Sequence, residues 1–325
     1  MSVAFLGPYG TFSEQALRSL SGAELAAAAG TEEPPEPVPA ASTTAALDAV
    51  RDGTATAACV PIENSVEGGV PATMDGLIES PPLVITREIL VAVRFAVLVR
   101  PGTSAAEVRS VASHPHGEAQ TRRWIAEHLP EAEVRLTSST AAAAAQTAAG
   151  EVDAAVCAPV AADHHGLAVL ASGVHDTGDA VTRFVVVRRP GAPLPPPTGT
   201  DRTSLAATTV DRPGSLVELL AELAVRGVDL SRIESRPSKA RLGEYWFFLD
   251  GSGHVADPAM GEAMAALRRR CRAVRFLGSY PRAATPCGPA GPAQPGGPDA
   301  VPGQGPDDYR DAVAWLNGLR AGREA

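Results

Sequence analysis

A chain of 325 residues, 45% hydrophobic and 20% charged, holds about two domains of ordinary globular sequence, which excludes wholesale disorder. Its formal net charge of −9 argues against a general nucleic-acid or anionic-membrane binder, so an anionic ligand would need a local positive site. No apolar run reaches the ~18 residues of a membrane span, and Arg94 interrupts the most apolar stretch, 90–99.

The start, Met1 to Gly7, lacks the basic region of a signal peptide. Cys59, Cys157, Cys271 and Cys287 are far apart, with no C-x-x-C pair. That spacing excludes a zinc ribbon or disulfide scaffold and suits a reducing cytoplasm.

In chain order, residues 3–6 read as a buried strand and 7–10 as a turn. Thr11-x-x-Glu14 spells a capping box, followed by a helix with Phe12, Ala16, Leu17 and Leu20 on one face. Residues 23–41 read as a surface insertion because of their Pro and Glu cluster. Strands follow at 56–60, twice within 83–99, and at 108–112, 134–136, 153–157, 167–170 and 184–187. A helix spans 117–129, and another runs to Ala149 with Ser139 and Thr140 at its start. This alternation predicts an α/β domain over 1–188, with a largely parallel sheet and sites at strand C-termini.

Residues 189–202 include PGAPLPPP, an extended linker expected to lack packed structure. Residues 203–282 read β-α-β-β-α-β, the ferredoxin-like order. The 24 residues 283–306 hold seven prolines and six glycines, and read as a disordered linker. Residues 307–325 form a short C-terminal helix capped by Asp307, with Tyr309, Val313, Leu316 and Leu319 on one side. Docking on the protein and exposure to solvent are both open for it.

Four polar clusters fall where strands end and helices begin. Gly7-Pro8-Tyr9-Gly10-Thr11-Phe12-Ser13 offers backbone N–H groups to an anion, or is a plain capped turn. Pro61-Ile62-Glu63-Asn64-Ser65 presents Asn64, able to donate and accept, or to cap a turn. In Ser113-His114-Pro115-His116-Gly117-Glu118-Ala119-Gln120, Ser113 lies at a strand end and Gln120 on a first helical turn. Two loop histidines there fall short of a metal's three or four ligands, and read, like His164-His165, as solvated. Thr182-Arg183-Phe184 supplies Arg183, whose planar fork suits a carboxylate. No Ser–His–Asp order, P-loop, dinucleotide fingerprint or metal-ligand spacing stands out. Neutral Asn, Ser, Gln and Thr with one Arg favour positioning and hydrogen bonding over strong acid–base work.

These motifs, VAFLGPYGTFSEQAL, PIENS, SHPHGEAQ, STA at 139–141 and TRF at 182–184, resemble the prephenate dehydratase family and stand in its order. Residues 203–282 resemble its ACT regulatory domain, through GSLV at 214–217 and ESRP at 234–237. The resemblance implies a two-lobed, type II periplasmic-binding-protein-like catalytic domain with the active site between its lobes. It implies decarboxylating dehydration of prephenate to phenylpyruvate, with no metal or organic cofactor.

Residue by residue, it implies Thr182 as the key catalytic group, with Asn64, Ser113 and Gln120 around the substrate. Arg183, Phe184, Thr11, Ser13, Ser139 and Thr140 are candidates for substrate binding. Gly214, Ser215, Leu216, Val217, Glu234, Ser235, Arg236 and Pro237 would enclose phenylalanine between subunits of a homodimer or homotetramer. Two departures stand out: Ala180, where many members have Asn, and Ser215, where Ala is usual. No chorismate mutase segment is seen before Val3 or after Pro281, so the stand-alone form is expected. Arogenate dehydratase, and a non-catalytic small-molecule binding protein, are the rival readings.

Overall fold

The computed structural model describes residues 1–176, 180–241, 243–284 and 305–323. Most of the second Pro/Gly-rich linker therefore lies outside the described residues. The chain forms two compact units, Met1–Gly76 with Ile89–Arg189, and Leu77–Glu88 with Pro190–Ala325.

In chain order the first half contributes β1 (Ser2–Leu6), α1 (Phe12–Arg18), α2 (Gly22–Ala29), β2 (Glu36–Ala40), α3 (Thr43–Asp52), β3 (Ala57–Asn64), β4 (Gly68–Gly69), α4 (Pro71–Ile78) and β5 (Val84–Ala92). Then come β6 (Ala96–Val99), β7 (Ser110–Ser113), α5 (Pro115–His128), β8 (Glu133–Leu136), α6 (Thr140–Ala149), β9 (Ala154–Cys157), α7 (Ala161–His165), β10 (Ala168–Ser172) and β11 (Val181–Arg188). These strands make two sheets, ordered β2-β1-β3-β11-β5 with β4 on β3, and β10-β6-β9-β7-β8. The chain passes from the first sheet to the second after β5 and returns before β11. Val93 N–H donates to the Ala180 carbonyl at 2.7 Å, tying the two crossovers together. This is the two-lobed, type II periplasmic-binding-protein-like arrangement.

The sheets are mixed where the sequence predicted them largely parallel. β1 runs parallel to β2 and β3, and β7 to β8 and β9, but β11 is antiparallel to β3 and β6 to β9 and β10. The crossovers bring in β6 and β11 from the opposite direction. Strand alternation builds both cores. Val97, Val111 and Val156 face Ile125 and Leu129, while Leu98, Ala112 and Ala155 face Ala143 and Ala144 of the alanine-rich α6.

Residues 23–41 are not a surface insertion. Leu25, Ala28 and Ala29 of α2 pack with Phe5 and Leu17, and β2 adds a parallel edge strand to β1. Glu36 N–H donates to the Met1 carbonyl, so strand alternation turns the nitrogens of Pro37 and Pro39 to the open edge, where no donor is needed.

The second unit contains β12 (Asp201–Thr208), α8 (Ser215–Ala224), β13 (Leu230–Pro237), β14 (Tyr245–Ser252), α9 (Pro258–Arg270), β15 (Ala273–Pro281) and α10 (Pro306–Arg320). Its antiparallel sheet, ordered β13-β14-β12-β15, is the ferredoxin-like arrangement. Leu205, Ala207 and Leu249 pack on Leu219, Leu223, Met260 and Leu267 of α8 and α9. Residues 77–88 join this unit through buried Glu88, which pairs with Arg202 at 2.7 Å and accepts from Ala283 N–H at 2.8 Å. Gly278 packs so closely on the Ile85 carbonyl that a Cβ would collide with it.

The first linker is fixed at its end, contrary to expectation. The Asp201 carboxylate accepts from Thr198 N–H at 2.7 Å and Gly199 N–H at 3.0 Å, and His254 Nε2 lies 3.1 Å from the Pro195 carbonyl. The tail helix α10 is capped by Gly305, not Asp307, with Asp308 accepting from Gly305 N–H, and Tyr309 Oη donates to the Arg226 carbonyl at 3.3 Å. No helix among the described residues is long and apolar enough to cross a membrane.

Candidate active site

The antiparallel register of β3 and β11 sets Thr182 opposite Asn64 and Arg183 opposite Glu63. Asn64 Nδ2 donates to Thr182 Oγ1 at 2.8 Å. Asn64 Oδ1 accepts from the N–H groups of Val66 at 2.9 Å and Glu67 at 3.0 Å, which fixes the amide's orientation. Ser65 adds a two-way clasp, its N–H donating to the Val181 carbonyl and its Oγ accepting from Val181 N–H. The PIENS turn thus grips the strand that carries TRF. With Thr182 Oγ1 accepting from Asn64, its own proton is left to donate to a further acceptor.

Strand alternation places Arg183 on the opposite face of β11 from Thr182. There it is buried, with Glu63 at 3.6 Å. The structure therefore does not bring Arg183 beside Thr182 as a carboxylate clamp. Phe184 shares the Thr182 side of the strand and sits in the core with Phe5 and Ala16. Ala180 is buried among the valines of the second lobe, where an Asn side chain would need its own partners.

The starts of α1, α5, α6 and α7 converge nearby. Gly10 has φ +83°, and a Cβ there would lie 3.1 Å from Ala161 Cβ and 3.7 Å from Ala141 Cβ. A Cβ on Gly117 would meet Ser113 Oγ, and would lie 3.3 Å from Phe95 and 3.4 Å from Thr140. The rings of Phe12 and Phe95 meet edge-on at 5.4 Å. Small residues thus let several helix N-termini approach one region.

Thr11 caps α1 and donates to the Leu6 carbonyl at 3.1 Å, with buried Ser13 in the first turn. Ser139 caps α6, accepting from Ala142 N–H at 3.0 Å, and Thr140 opens that helix. Ser113 is fully buried and donates to the Val156 carbonyl at 2.9 Å. Gln120 is half-buried on the second turn of α5, because the helix starts at Pro115, earlier than expected. The cap is His114, whose Nδ1 accepts from His116 N–H at 3.3 Å. Burial, with His116 adding to it, lowers the His114 pKa.

Asp176, which sequence reasoning passed over, and Glu14, read there only as a capping-box residue, organise this region. Asp176 docks on the side of α5: its carboxylate accepts from Arg123 N–H at 2.8 Å and Trp124 N–H at 2.9 Å, while its own N–H donates to the Gln120 carbonyl at 2.7 Å. Nothing in the local pattern signals this, since Asp176 lies 53 residues from Arg123. Glu14 reaches back from α1 as a capping box requires, but to Gly10 N–H at 2.6 Å and to His164, not to Thr11 N–H. His164, exposed at the end of α7, is therefore a helical residue paired with Glu14 and not only a solvated loop histidine. Cys59 and Cys157 are buried, which pushes both thiols up to about 12 and keeps them unreactive. Among the described residues, no group of three or more His, Cys, Asp or Glu is placed to hold a metal ion.

Two α/β lobes with neutral hydrogen-bonding side chains and helix N-termini at their junction form the kind of cleft in which small-molecule sites are found. A family model for prephenate dehydratase matches residues 3–192. The chain is 50% identical to the prephenate dehydratase of Amycolatopsis methanolica over 325 residues, 99% of each protein. It is 42% identical, with a TM-score of 0.84, to the prephenate dehydratase of Arthrobacter aurescens solved in complex with L-Phe, covering 99% of this chain and 100% of that one. A third relative, GqqA, is a quorum quenching acylase of 30% identity and TM-score 0.77, covering 87% of this chain and 98% of its own. The chain belongs to the prephenate dehydratase family.

Proposed function

We propose that this enzyme converts prephenate to phenylpyruvate, and that Thr182 is the residue at the reacting centre. The ring carboxylate leaves as CO2, its bonding electrons enter the ring, and the 4-hydroxyl departs as hydroxide, which takes up a proton from solvent to become water. Aromatisation drives the reaction, so the protein's work is to orient a dianion and help hydroxide leave. The observation that carries this reading is the Asn64–Thr182 hydrogen bond. It occupies Thr182 as an acceptor, so the hydroxyl proton is aimed at another oxygen, the role a departing 4-hydroxyl needs filled.

Carboxylates fit the N–H groups at the starts of α1 and α6, beside Thr11, Ser13, Ser139 and Thr140, because helix N-termini favour negative charge. Gln120 supports the substrate from α5. Ser113 supports the strand end beneath it, and Arg183 serves through Glu63 as part of the frame. GqqA shares the fold with a different named activity, so fold alone does not decide the chemistry. Supplying the purified protein with prephenate and with arogenate, and measuring phenylpyruvate against phenylalanine, tests the reading. Arogenate is the alternative substrate.

The βαββαβ segment is read as an ACT domain that binds phenylalanine at Gly214–Val217 and Glu234–Pro237. Its support is the L-Phe complex of the Arthrobacter relative and the geometry of the first turn of α8. Gly214 caps that helix at φ +82°, and Ser215 Oγ lies 3.2 Å from Thr209 Oγ1. Glu234 pairs with Arg232 at 2.5 Å, so an incoming ammonium would share that carboxylate. Ser235, Arg236 and Pro237 continue along β13, an edge strand. That edge, with exposed Val217 and Ile233, supports a homodimer or homotetramer that completes the effector site.

A further inference from the structure

α1 belongs to the first lobe and α7 to the second, and the carboxylate of Glu14 makes the shortest polar contact between them. Glu14 is 3% exposed. Its oxygens lie 2.7 and 2.9 Å from His164 Nε2, 150 residues away in sequence, and 2.8 Å from Arg18. It also accepts from Gly10 N–H at 2.6 Å, in the turn that meets Ala141 and Ala161. Two carboxylate oxygens so close to Nε2 require a proton on that nitrogen. Arg18 Nη2, 2.9 Å from the same nitrogen, is then a second donor converging on Glu14 and not a partner of the ring. Tyr9 packs on the imidazole at 5.4 Å, and Asp163 lies 3.6 Å from Arg18.

Burying a carboxylate costs several kcal/mol in effective desolvation unless partners repay it. An apolar residue would fill this space without that cost, but it would not make the contact directional. We propose that Glu14 and His164 are positioning residues for the reaction, a latch from α1 to α7 that populates the arrangement in which the helix N-termini converge on the substrate. The latch touches no reacting atom. Its loss lowers the fraction of enzyme ready to bind, and apparent affinity falls in proportion to that fraction. Substrate that has bound restores the arrangement, so turnover at saturation is kept.

This inference rests on prephenate being the substrate, and two measurements keep the ideas separable. In steady-state assays His164→Leu raises KM about 10-fold with kcat within about 2-fold, the signature of lost ground-state preorganisation. His164→Gln, which keeps a donor at similar reach, returns KM to within about 3-fold of wild type. Glu14→Gln moves KM in the same direction as His164→Leu and serves if the latter fails to fold. In the ligand-free protein, hydrogen exchange over residues 7–13 speeds up in His164→Leu while other peptides keep their rates. An unchanged KM, a Gln variant no better than Leu, or a loss of kcat tracking the folded fraction overturns the latch. If wild-type enzyme ignores prephenate, the functional reading falls, and the exchange result alone decides the latch: unchanged rates over 7–13 reject it.

Discussion

Asn64 donates a hydrogen bond to the hydroxyl of Thr182 at 2.8 Å, joining residues 118 positions apart. The β3–β11 register sets them opposite one another, and two turn N–H groups hold the Asn64 amide from behind. Thr182→Ala is predicted to lower kcat by about 10²-fold or more, the scale for losing a positioned proton donor. Asn64→Ala is predicted to cost about 5-fold, equivalent to one hydrogen bond of ~1 kcal/mol. The double variant should be little worse than Thr182→Ala alone, because both act through one hydroxyl. Steady-state kinetics on folded proteins checks this, and additive losses would separate Asn64 from Thr182.

Asp176 bonds to the side of α5 beside Gln120. Asp176→Ala removes the side-chain acceptor of two N–H groups, one exposed and one part-buried, a loss of about 0.5–1.5 kcal/mol for each bond. The predicted result is a lower denaturant midpoint together with reduced kcat/KM, as the Gln120 turn shifts. Asp176→Asn retains one acceptor oxygen and should fall between the two. A variant with wild-type midpoint and kinetics would show that α5 does not need Asp176.

The His114 cap gives a signed pH dependence. Burial lowers its pKa from the ordinary 6.5, so the folded state binds this proton less readily than the unfolded chain. The cap's contribution is intact above the unfolded value and is lost as pH falls through the lower folded one. Protonation also removes the Nδ1 lone pair that accepts from His116 N–H. Between pH 7.5 and 5.5, wild-type Tm is predicted to fall more than that of His114→Asn, which caps without titrating. Equal declines would remove His114 from the acid response.

Phenylalanine is predicted to inhibit turnover, and Glu234→Ala to relieve inhibition by about 10-fold in effector concentration without abolishing catalysis, the loss of one charge-assisted contact. Linkage requires prephenate to weaken phenylalanine by the same factor that phenylalanine weakens prephenate. Calorimetric titration with and without substrate measures both arms. No phenylalanine binding, or binding that leaves prephenate affinity unchanged, would reject the effector assignment.

Strand–helix alternation made the α/β lobes and the βαββαβ order legible, because apolar runs such as 96–99 and 184–187 are short, buried and bounded by turns. The Pro-rich β2 was misread, since prolines at an edge spacing look like a loop until the neighbouring strand is in place. Thr182 and Asn64 were identified singly through resemblance, but their mutual bond depends on the β3–β11 register, which no local pattern encodes. Arg183 shows the converse. Its chemistry suggested a carboxylate clamp, yet alternation turned it to the face of Glu63. Glu14 and His164 were invisible as a pair for the same reason as Asp176: their partners come from distant elements.

The most direct measurement follows prephenate consumption by the purified full-length protein at neutral pH, with phenylpyruvate and CO2 quantified together. The account predicts one phenylpyruvate and one CO2 for each prephenate consumed, at a rate that Thr182→Ala reduces by about 10²-fold or more. A folded wild-type protein that forms no phenylpyruvate, or a Thr182→Ala protein that forms it at the wild-type rate, would contradict it.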